Sequence, residues 1–379
     1  NDGIGKNIMG NTAIGDATDV NNDYKCVGAY FNESSNTILY FLATTAGALS
    51  KIVEYNIDTN TTTVVLADNT SILRFNKQSY ITGISEIDGL LIFSEWGNNI
   101  RKINIERAKT LGLNNFTEDD IKLIVKPPTT KPTITLQQTT STTQGENYIE
   151  EKILAFSYRY KYRDGEYSTL APFSEFAFEP NQFSYDFSVQ SNTSMINKFN
   201  QVLIEFNTGS ANVIEIQLVF IQSETSEVFI IDDFNKARLG YGDNQLQTFA
   251  FNNLKSIRGL PQDILRNLFD GVPRSSRGQT LIDGRLILSY YLENYNMVDS
   301  TSTAIEVNYT LSIVSTAIAN LQPQKSVKSI RDYEVVIAYL DEDLRMTTLF
   351  KSKTNTIFVD NSLSSQSNVI AIQLSHNPP

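Results

Sequence analysis

Few residues in this sequence could do catalytic chemistry. There is one histidine, His376, in a Pro-rich tail, and one cysteine, Cys26. Histidine-and-cysteine zinc sites and Ser-His-Asp triads therefore lack their ingredients, and His376 reads as an exposed residue without a role. The 42 acidic residues will always offer some carboxylate pair for glycoside hydrolysis. Nothing selects one, and the Ser-x-Asp-x-Gly-x-x-Trp turns of sialidase-type propellers are absent. Asp58-x-Asn60-x-Thr62 begins like a calcium loop but lacks the glycine and the distal glutamate, so a hairpin turn is the simpler reading. Gly240-Tyr241-Gly242-Asp243 has no strand-to-helix context for a phosphate loop. Arg274, Arg277 and Arg285 read either as a phosphate-contacting patch or as structural arginines bonded to loop carbonyls and carboxylates. The stripe Tyr158, Tyr160 and Tyr162 could stack on sugars, yet its period of two is that of a buried sheet face. The expectation is a protein that is not an enzyme, with no catalytic, cofactor-binding or metal-binding residues.

Composition sets the class of fold. A chain of 379 residues has room for two or three domains. Phe 21 and Tyr 18 against a single Trp, with abundant Thr, Val, Ile and Asn, favour strands. The formal net charge of -11 argues against gripping nucleic acid through a basic surface, although an acidic wall suits DNA that slides past. Cys26 lies in the apolar run 26–31 and reads as a small buried hydrophobe. No run of about 18 apolar residues is present, so no membrane span is expected. The start at Asn1-Asp2-Gly3 and the end at Pro378-Pro379 suggest a segment of a longer product.

The chain is organised around residues 269–295. Their core, Ile282-Asp283-Gly284-Arg285-Leu286-Ile287-Leu288-Ser289, has a near copy at Ile87-Asp88-Gly89-Leu90-Leu91-Ile92-Phe93-Ser94. Each is an Asp-Gly turn feeding an apolar strand. Residues 1–23 are expected as an extended arm or loop. Residues 24–126 read as a β-meander of propeller blades, with 106–113 and 116–121 together holding a short helix. A Pro- and Thr-rich break opens an inserted fibronectin- or immunoglobulin-like β-sandwich at 127–258, with a helical connection at 193–200. Residues 259–302 hold a helix over 260–269, with Pro261 at its first position, and then the second part of the propeller. Residues 303–379 form a second β-sandwich. Its run 333–343 resembles the first, with Tyr339 and Asp341 matching Tyr162 and Asp164. The fold class is all-β, a partial β-propeller interrupted by a sandwich. On this plan residues 269–295 pair in sheet with strands from 24–105.

Residues Asp270-Gly271-Val272-Pro273-Arg274-Ser275-Ser276-Arg277-Gly278-Gln279, then Gly284-Arg285-Leu286-Ile287 and Ser289-Tyr290-Tyr291, resemble the tail nozzle, tail hub or stabilisation proteins of short-tailed bacteriophages. The version in crAss-like phages is nearest in style. The sequence departs from that pattern at Asp283, at Ser275-Ser276 and at Tyr290-Tyr291-Leu292. The resemblance implies a structural virion protein made in the host bacterial cytoplasm. It would be one of six subunits in a ring that extends the portal and adaptor, retains packaged DNA and lines its exit channel. The alternative reading is a secreted or surface carbohydrate-binding or adhesion protein of propeller and fibronectin-like modules.

Overall fold

The structure is a computed structural model. It describes residues 24–44, 49–139, 147–223, 227–252, 258–261, 264, 267, 269–295, 297–298, 301, 303, 307–318 and 325–375. The expected arm at 1–23 lies outside them. The described chain is almost all β, in several antiparallel sheets, none closed into a barrel. Its described residues form two compact units: those within 24–124 and 272–293, and those within 125–271 and 294–375.

In the first unit, β1 (Tyr24–Asn32), β2 (Thr37–Thr44), β3 (Ser50–Asn56) and β4 (Thr61–Asp68) make one four-stranded meander. A second, three-stranded meander consists of β5 (Gly83–Ile87), β6 (Leu90–Ser94) and β7 (Arg101–Asn104). Alternating apolar residues give each sheet one buried face. Leu39, Phe41 and Ile52 from the first pack with Leu91, Phe93 and Ile103 from the second. At the centre, the rings of Phe41, Phe75 and Phe93 meet at centroid distances of 5.0 to 6.0 Å. Helix α1 (Ile105–Leu111) adds Ile105 and Ala108 to this core, and the Asn104 side chain caps it by accepting from the Arg107 N–H.

The second unit begins with β8 (Thr133–Gln137), β9 (Leu154–Tyr162), the short pair β10 (Tyr185–Asp186) and β11 (Ser191–Asn192), and β12 (Gln201–Asn207). It continues through β13 (Val213–Gln222), β14 (Val228–Asn235), helix α2 (Lys236–Leu239), β15 (Leu246–Phe251) and β16 (Arg258–Leu260). Two layers, β15-β12-β8 and β16-β14-β13-β9, enclose one core. Val202, Ile204 and Phe206 face Phe156, Tyr158, Leu218 and Phe220 across it, so the tyrosine stripe is core. The chain then gives the first unit its hairpin, β17 (Ser275–Ile282) and β18 (Arg285–Leu292). It ends in the second unit with β19 (Tyr309–Ala317), β20 (Arg331–Glu334), β21 (Thr356–Val359) and β22 (Gln366–Leu374). These last strands pair as β19-β22 and β20-β21.

Four sequence expectations need correction. Strand β1 has a bulge between Cys26 and Gly28; it buries Val27 and turns Cys26 out to solvent. Leu260 ends strand β16 opposite Val228, so the helix expected over 260–269 starts after it; Ile264 is helical, and 262, 263, 265, 266 and 268 lie outside the described residues. The connection at 193–200 is not helical. It is a set of turns around buried Asn197, whose Nδ2 donates to the Ala177 carbonyl at 3.1 Å and whose N–H donates to the Glu150 carbonyl at 2.7 Å. Finally, β17 pairs in sheet with its neighbour β18, not with strands from 24–105.

The two sandwich modules match more closely than their sequences suggest, at a different offset. In the first, Ser168 and Ala171 N–H donate to the Tyr160 and Tyr158 carbonyls; in the second, Thr347 and Phe350 N–H donate to the Tyr339 and Ile337 carbonyls. One offset, 179, relates every partner to its counterpart (339 − 160, 347 − 168, 350 − 171, 337 − 158). Tyr160 N–H donates to the Ser168 hydroxyl at 3.0 Å, and Tyr339 N–H to the Thr347 hydroxyl at 3.0 Å. The turns agree as well: Gly165 and Leu344, again 179 apart (344 − 165), both have positive φ, 84° and 62°. Tyr339 therefore corresponds to Tyr160, not to Tyr162.

Asp68 ties the first unit together at the end of β4. Its carboxylate accepts from Leu73 N–H at 2.8 Å and from the N–H and hydroxyl of Thr70, each at 2.7 Å. Burial alone would raise its pKa, but these donors outweigh that effect and hold it below the ordinary value. A folded-state pKa below the unfolded one stabilises the fold above about pH 4, and that gain is lost as pH falls through the lowered value. Asp68→Asn should lower the Tm at neutral pH, by about 1–3 kcal/mol of stability, because donors lose a charged acceptor. Its melting should then change less than the parent's between about pH 5 and 2. Equal acid sensitivity in both proteins would show that Asp68 is not the responsible group.

Candidate functional site

The hairpin β17–β18 carries most of the residues that the sequence singled out. It is held to the three-stranded meander by side chains. The Thr82 hydroxyl donates to the Arg277 carbonyl, and Gln279 Nε2 donates to the Ile92 carbonyl at 2.7 Å. Gly83 makes the approach possible: a Cβ there would lie 2.6 Å from Gln279 Cγ and 3.1 Å from the Gln279 backbone nitrogen. The two copies of the Asp-Gly turn thus belong to neighbouring hairpins, with positive φ at Asp88 and Gly89 and at Asp283 and Gly284.

On the outer surface the hairpin presents an aromatic and arginine cluster. The Arg277 guanidinium lies 4.4 Å from the ring centroid of Trp96 and 4.8 Å from that of Tyr290, and the two rings are 5.5 Å apart. Cation–π attraction holds such a stack together. All three side chains are exposed, Tyr290 at 68%. Tyr290 also has φ 49°, rare for a bulky residue and costly unless its surroundings impose it. The Ser276 hydroxyl, buried beside it, is 2.8 Å from the Gly278 carbonyl and 2.9 Å from that of Ser289.

Trp96 is positioned from beneath. The preceding residue, Glu95, is buried and meets Arg101 at 3.3 Å. Burial pushes the Glu95 carboxyl up, with Arg101 and Asn98 opposing, and pulls the Arg101 guanidinium down, with Glu95 opposing. Arg101 also donates to the Leu73 and Ile72 carbonyls. The turn bearing Trp96 is therefore anchored to the core, while its indole stays outside.

The three arginines do not form one patch. Arg285 sits opposite Ile282 at the hairpin turn, five residues along β17 from Arg277, or about 17 Å at the strand rise. Asp58 and Asn60 belong to a hairpin turn: Asp58 accepts from Asn36, and Asn60 accepts from the Tyr55 hydroxyl at 2.7 Å. Gly242 donates its N–H to Gln245 in a local turn. His376 lies outside the described residues. Among the described residues no cluster of three or more His, Cys, Asp or Glu side chains is arranged to hold a metal ion. Nor is any helix among them long and apolar enough to cross a membrane.

Sequence reasoning did not single out a second exposed surface. The hairpin β10–β11 holds Phe183, Tyr185 and Phe187 on one face, with ring centroids 6.5 and 5.0 Å apart along the row. All are exposed, Phe187 at 85%. Alternation of aromatic with Ser and Asp along 183–188 is the available signal, and it reads equally well as a strand with a buried face. The two modules explain why this hairpin stands out. Strand β12 corresponds to β22 at an offset of 166 (370 − 204), because Ile204 pairs with Ile134 and Ile370 with Ile313. The connection from β9 to β12 is therefore 13 residues longer in the first module than its counterpart in the second (179 − 166), and the aromatic hairpin lies within it.

No family model and no curated protein matches the chain. Among solved structures, it is similar to a protein described as the extracellular domain of a one-component system from B. thetaiotaomicron, at 11% identity and a TM-score of 0.17. The match covers 92% of this chain but only 48% of that one, so the chain spans about half of its length. A likeness this weak carries no argument about function.

Gly83→Ala should destabilise the first unit by about 1–3 kcal/mol, as overpacking does. Trp96→Ala should change its stability by less than about 1 kcal/mol, since the indole is outside the core. Urea unfolding of both variants checks the contrast; equal losses would mean that Trp96 is a structural residue rather than a presented one.

Proposed function

We propose that this chain is a structural subunit of the tail of a short-tailed bacteriophage, part of the nozzle or hub ring through which DNA leaves the virion. The observation that carries the reading is the location of the family-like residues 270–291. They include the hairpin that clamps the first unit and presents Arg277 and Tyr290 against Trp96. Trp, Tyr and Arg are the residue types that dominate subunit contacts, and an anchored cluster loses little entropy on binding. The second aromatic row, on β10–β11, gives the other unit a surface of similar chemistry. The net charge of -11 suits a conduit wall that repels phosphate. The reading assigns no catalysis to the chain; six copies would form the ring and contact the portal and adaptor above it.

The exposed rings of β10–β11 also favour a second reading, a carbohydrate-binding or adhesion protein. Electron microscopy of the purified chain, with a glycan array run in parallel, separates the two. Closed six-fold rings are expected, and Arg277→Ala with Trp96→Ala should shift them towards monomers in mass photometry. Monomers that bind glycans would overturn the assembly reading in favour of adhesion.

A further inference from the structure

Among the described residues three arginines are buried, Arg101, Arg159 and Arg345. Two of them meet carboxylates of the chain: Arg101 lies 3.3 Å from Glu95, and Arg345 lies 2.8 Å from Asp341 and 3.3 Å from Asp343. Arg159 differs. Alternation along β9 turns it away from the core that holds Tyr158 and Tyr160, yet it is only 8% exposed. Its Nε donates to Gln217 Oε1 at 2.8 Å, and its guanidinium lies 4.3 Å from the ring centroid of Tyr167. Its two η nitrogens bond to no described residue, and no described carboxylate forms an ion pair with it. The carboxylates nearby are engaged elsewhere. Asp233 accepts from Gln217 Nε2 at 2.7 Å and from Arg258 at 2.6 Å, while Glu215 lies 3.5 Å from both Lys161 Nζ and the Tyr167 hydroxyl. Burial draws the Arg159 guanidinium's pKa below its ordinary value, with Tyr167 and Asp233 opposing. A charge withdrawn from water without a counter-charge beside it is costly.

The second module shows that the framework does not require this arginine. At the offset of 179, Arg159, Lys161 and Tyr167 become Ala338, Leu340 and Met346, and the bridge between Lys161 and Tyr167 recurs between Leu340 and Met346. Strand, turn and strap are built there without a guanidinium. We propose that Arg159 is a binding residue for a carboxylate side chain of a partner polypeptide. The fork of η donors matches a carboxylate, and Tyr167 and Gln217 hold the guanidinium in place, so little freedom is lost on binding. A doubly charged phosphate suits the site less, because Glu215 and Asp233 stand close by and repel it. An acidic saccharide suits it less as well. Gln217 uses both ends of its amide, and Asp233, Glu215 and the Tyr167 hydroxyl are engaged with one another's neighbours, which leaves few side-chain groups for sugar hydroxyls. The proposal does not depend on the phage reading.

The probe is the capped peptide acetyl-Gly-Glu-Gly-amide, titrated into the full chain carrying nitrogen-15 in its arginines, with the arginine side-chain resonances followed by NMR. The Arg159 resonances should shift saturably, at least about tenfold more tightly than those of exposed Arg238 and Arg285, because a preorganised fork holds a carboxylate better than a mobile one. The glutamine peptide acetyl-Gly-Gln-Gly-amide should leave Arg159 unmoved. Arg159→Lys keeps the charge but removes the fork, and should abolish the rise in melting temperature that the glutamate peptide gives the parent. If Arg159→Lys does not fold, the Arg159 resonances of the parent decide alone. No shift at Arg159 with the glutamate peptide, an equal shift with the glutamine peptide, or an unchanged thermal response in folded Arg159→Lys would each overturn the proposal. Glucuronate, titrated in parallel, would overturn it in favour of an acidic saccharide if it bound at Arg159 more tightly than the peptide.

Discussion

Every β-strand has two edges of backbone donors and acceptors, and a fold made almost wholly of strands must find partners for both. In the four-stranded meander, β2 and β3 are interior and satisfied by their neighbours. Strand β9 meets the same requirement with β13 on one side and an irregular strap on the other. Along that strap, Ser168, Ala171, Ser174 and Ala177 donate to Tyr160, Tyr158, Phe156 and Leu154, so three strap residues match two of the strand. A regular ladder cannot hold this ratio. The Ser168 and Ser174 hydroxyls resolve it by accepting from the Tyr160 and Phe156 N–H groups, at 3.0 and 2.9 Å. Side-chain hydroxyls here take the place of missing strand carbonyls.

The same constraint separates core from surface in the first unit. Buried polar groups are tolerated where each meets a partner. Arg101 reaches two loop carbonyls and Glu95 at once, and so fixes the loops around Leu73 and Trp96 to one aromatic core. Hairpin β17–β18, by contrast, is joined to that core through a glutamine, a threonine hydroxyl and a missing Cβ rather than through a shared ladder. A domain interrupted by a long insertion is thereby closed by a few directional contacts.

The sequence is readable where local period and burial agree. The meander strands, β9 and β12 to β14 follow from alternation and turn residues, and the tyrosine stripe follows from its period of two. What stays hidden depends on partners distant in the chain. The bulge that exposes Cys26 is a property of pairing with β2, invisible in an apolar run. Leu260 looks helical beside Pro261 because its strand partner, Val228, lies far back in the sequence, across the whole of β14, α2 and β15. The module offset is easily misread by two because a shift of two leaves every side chain on its own face. Trp96 gives no local signal, since its role depends on Arg277 and Tyr290. The turn copies at 87–94 and 282–289, in contrast, mark two hairpins that do lie side by side.

The interruption of the first unit also has a consequence in time. Residues 24–124 leave the ribosome first, but the segment that clamps them, 272–293, follows only after the whole of 125–271 has been made. At about 5–20 residues per second, that delay is roughly 7–30 s. During it, the meander that Gln279 will grip holds the Ile92 carbonyl and the Gly83 notch unfilled, while the first sandwich has all its strands and can close. Synthesis therefore completes the inserted domain before its host, which makes the nascent first unit the stage most open to chaperone binding and to mispairing with a neighbouring nascent chain.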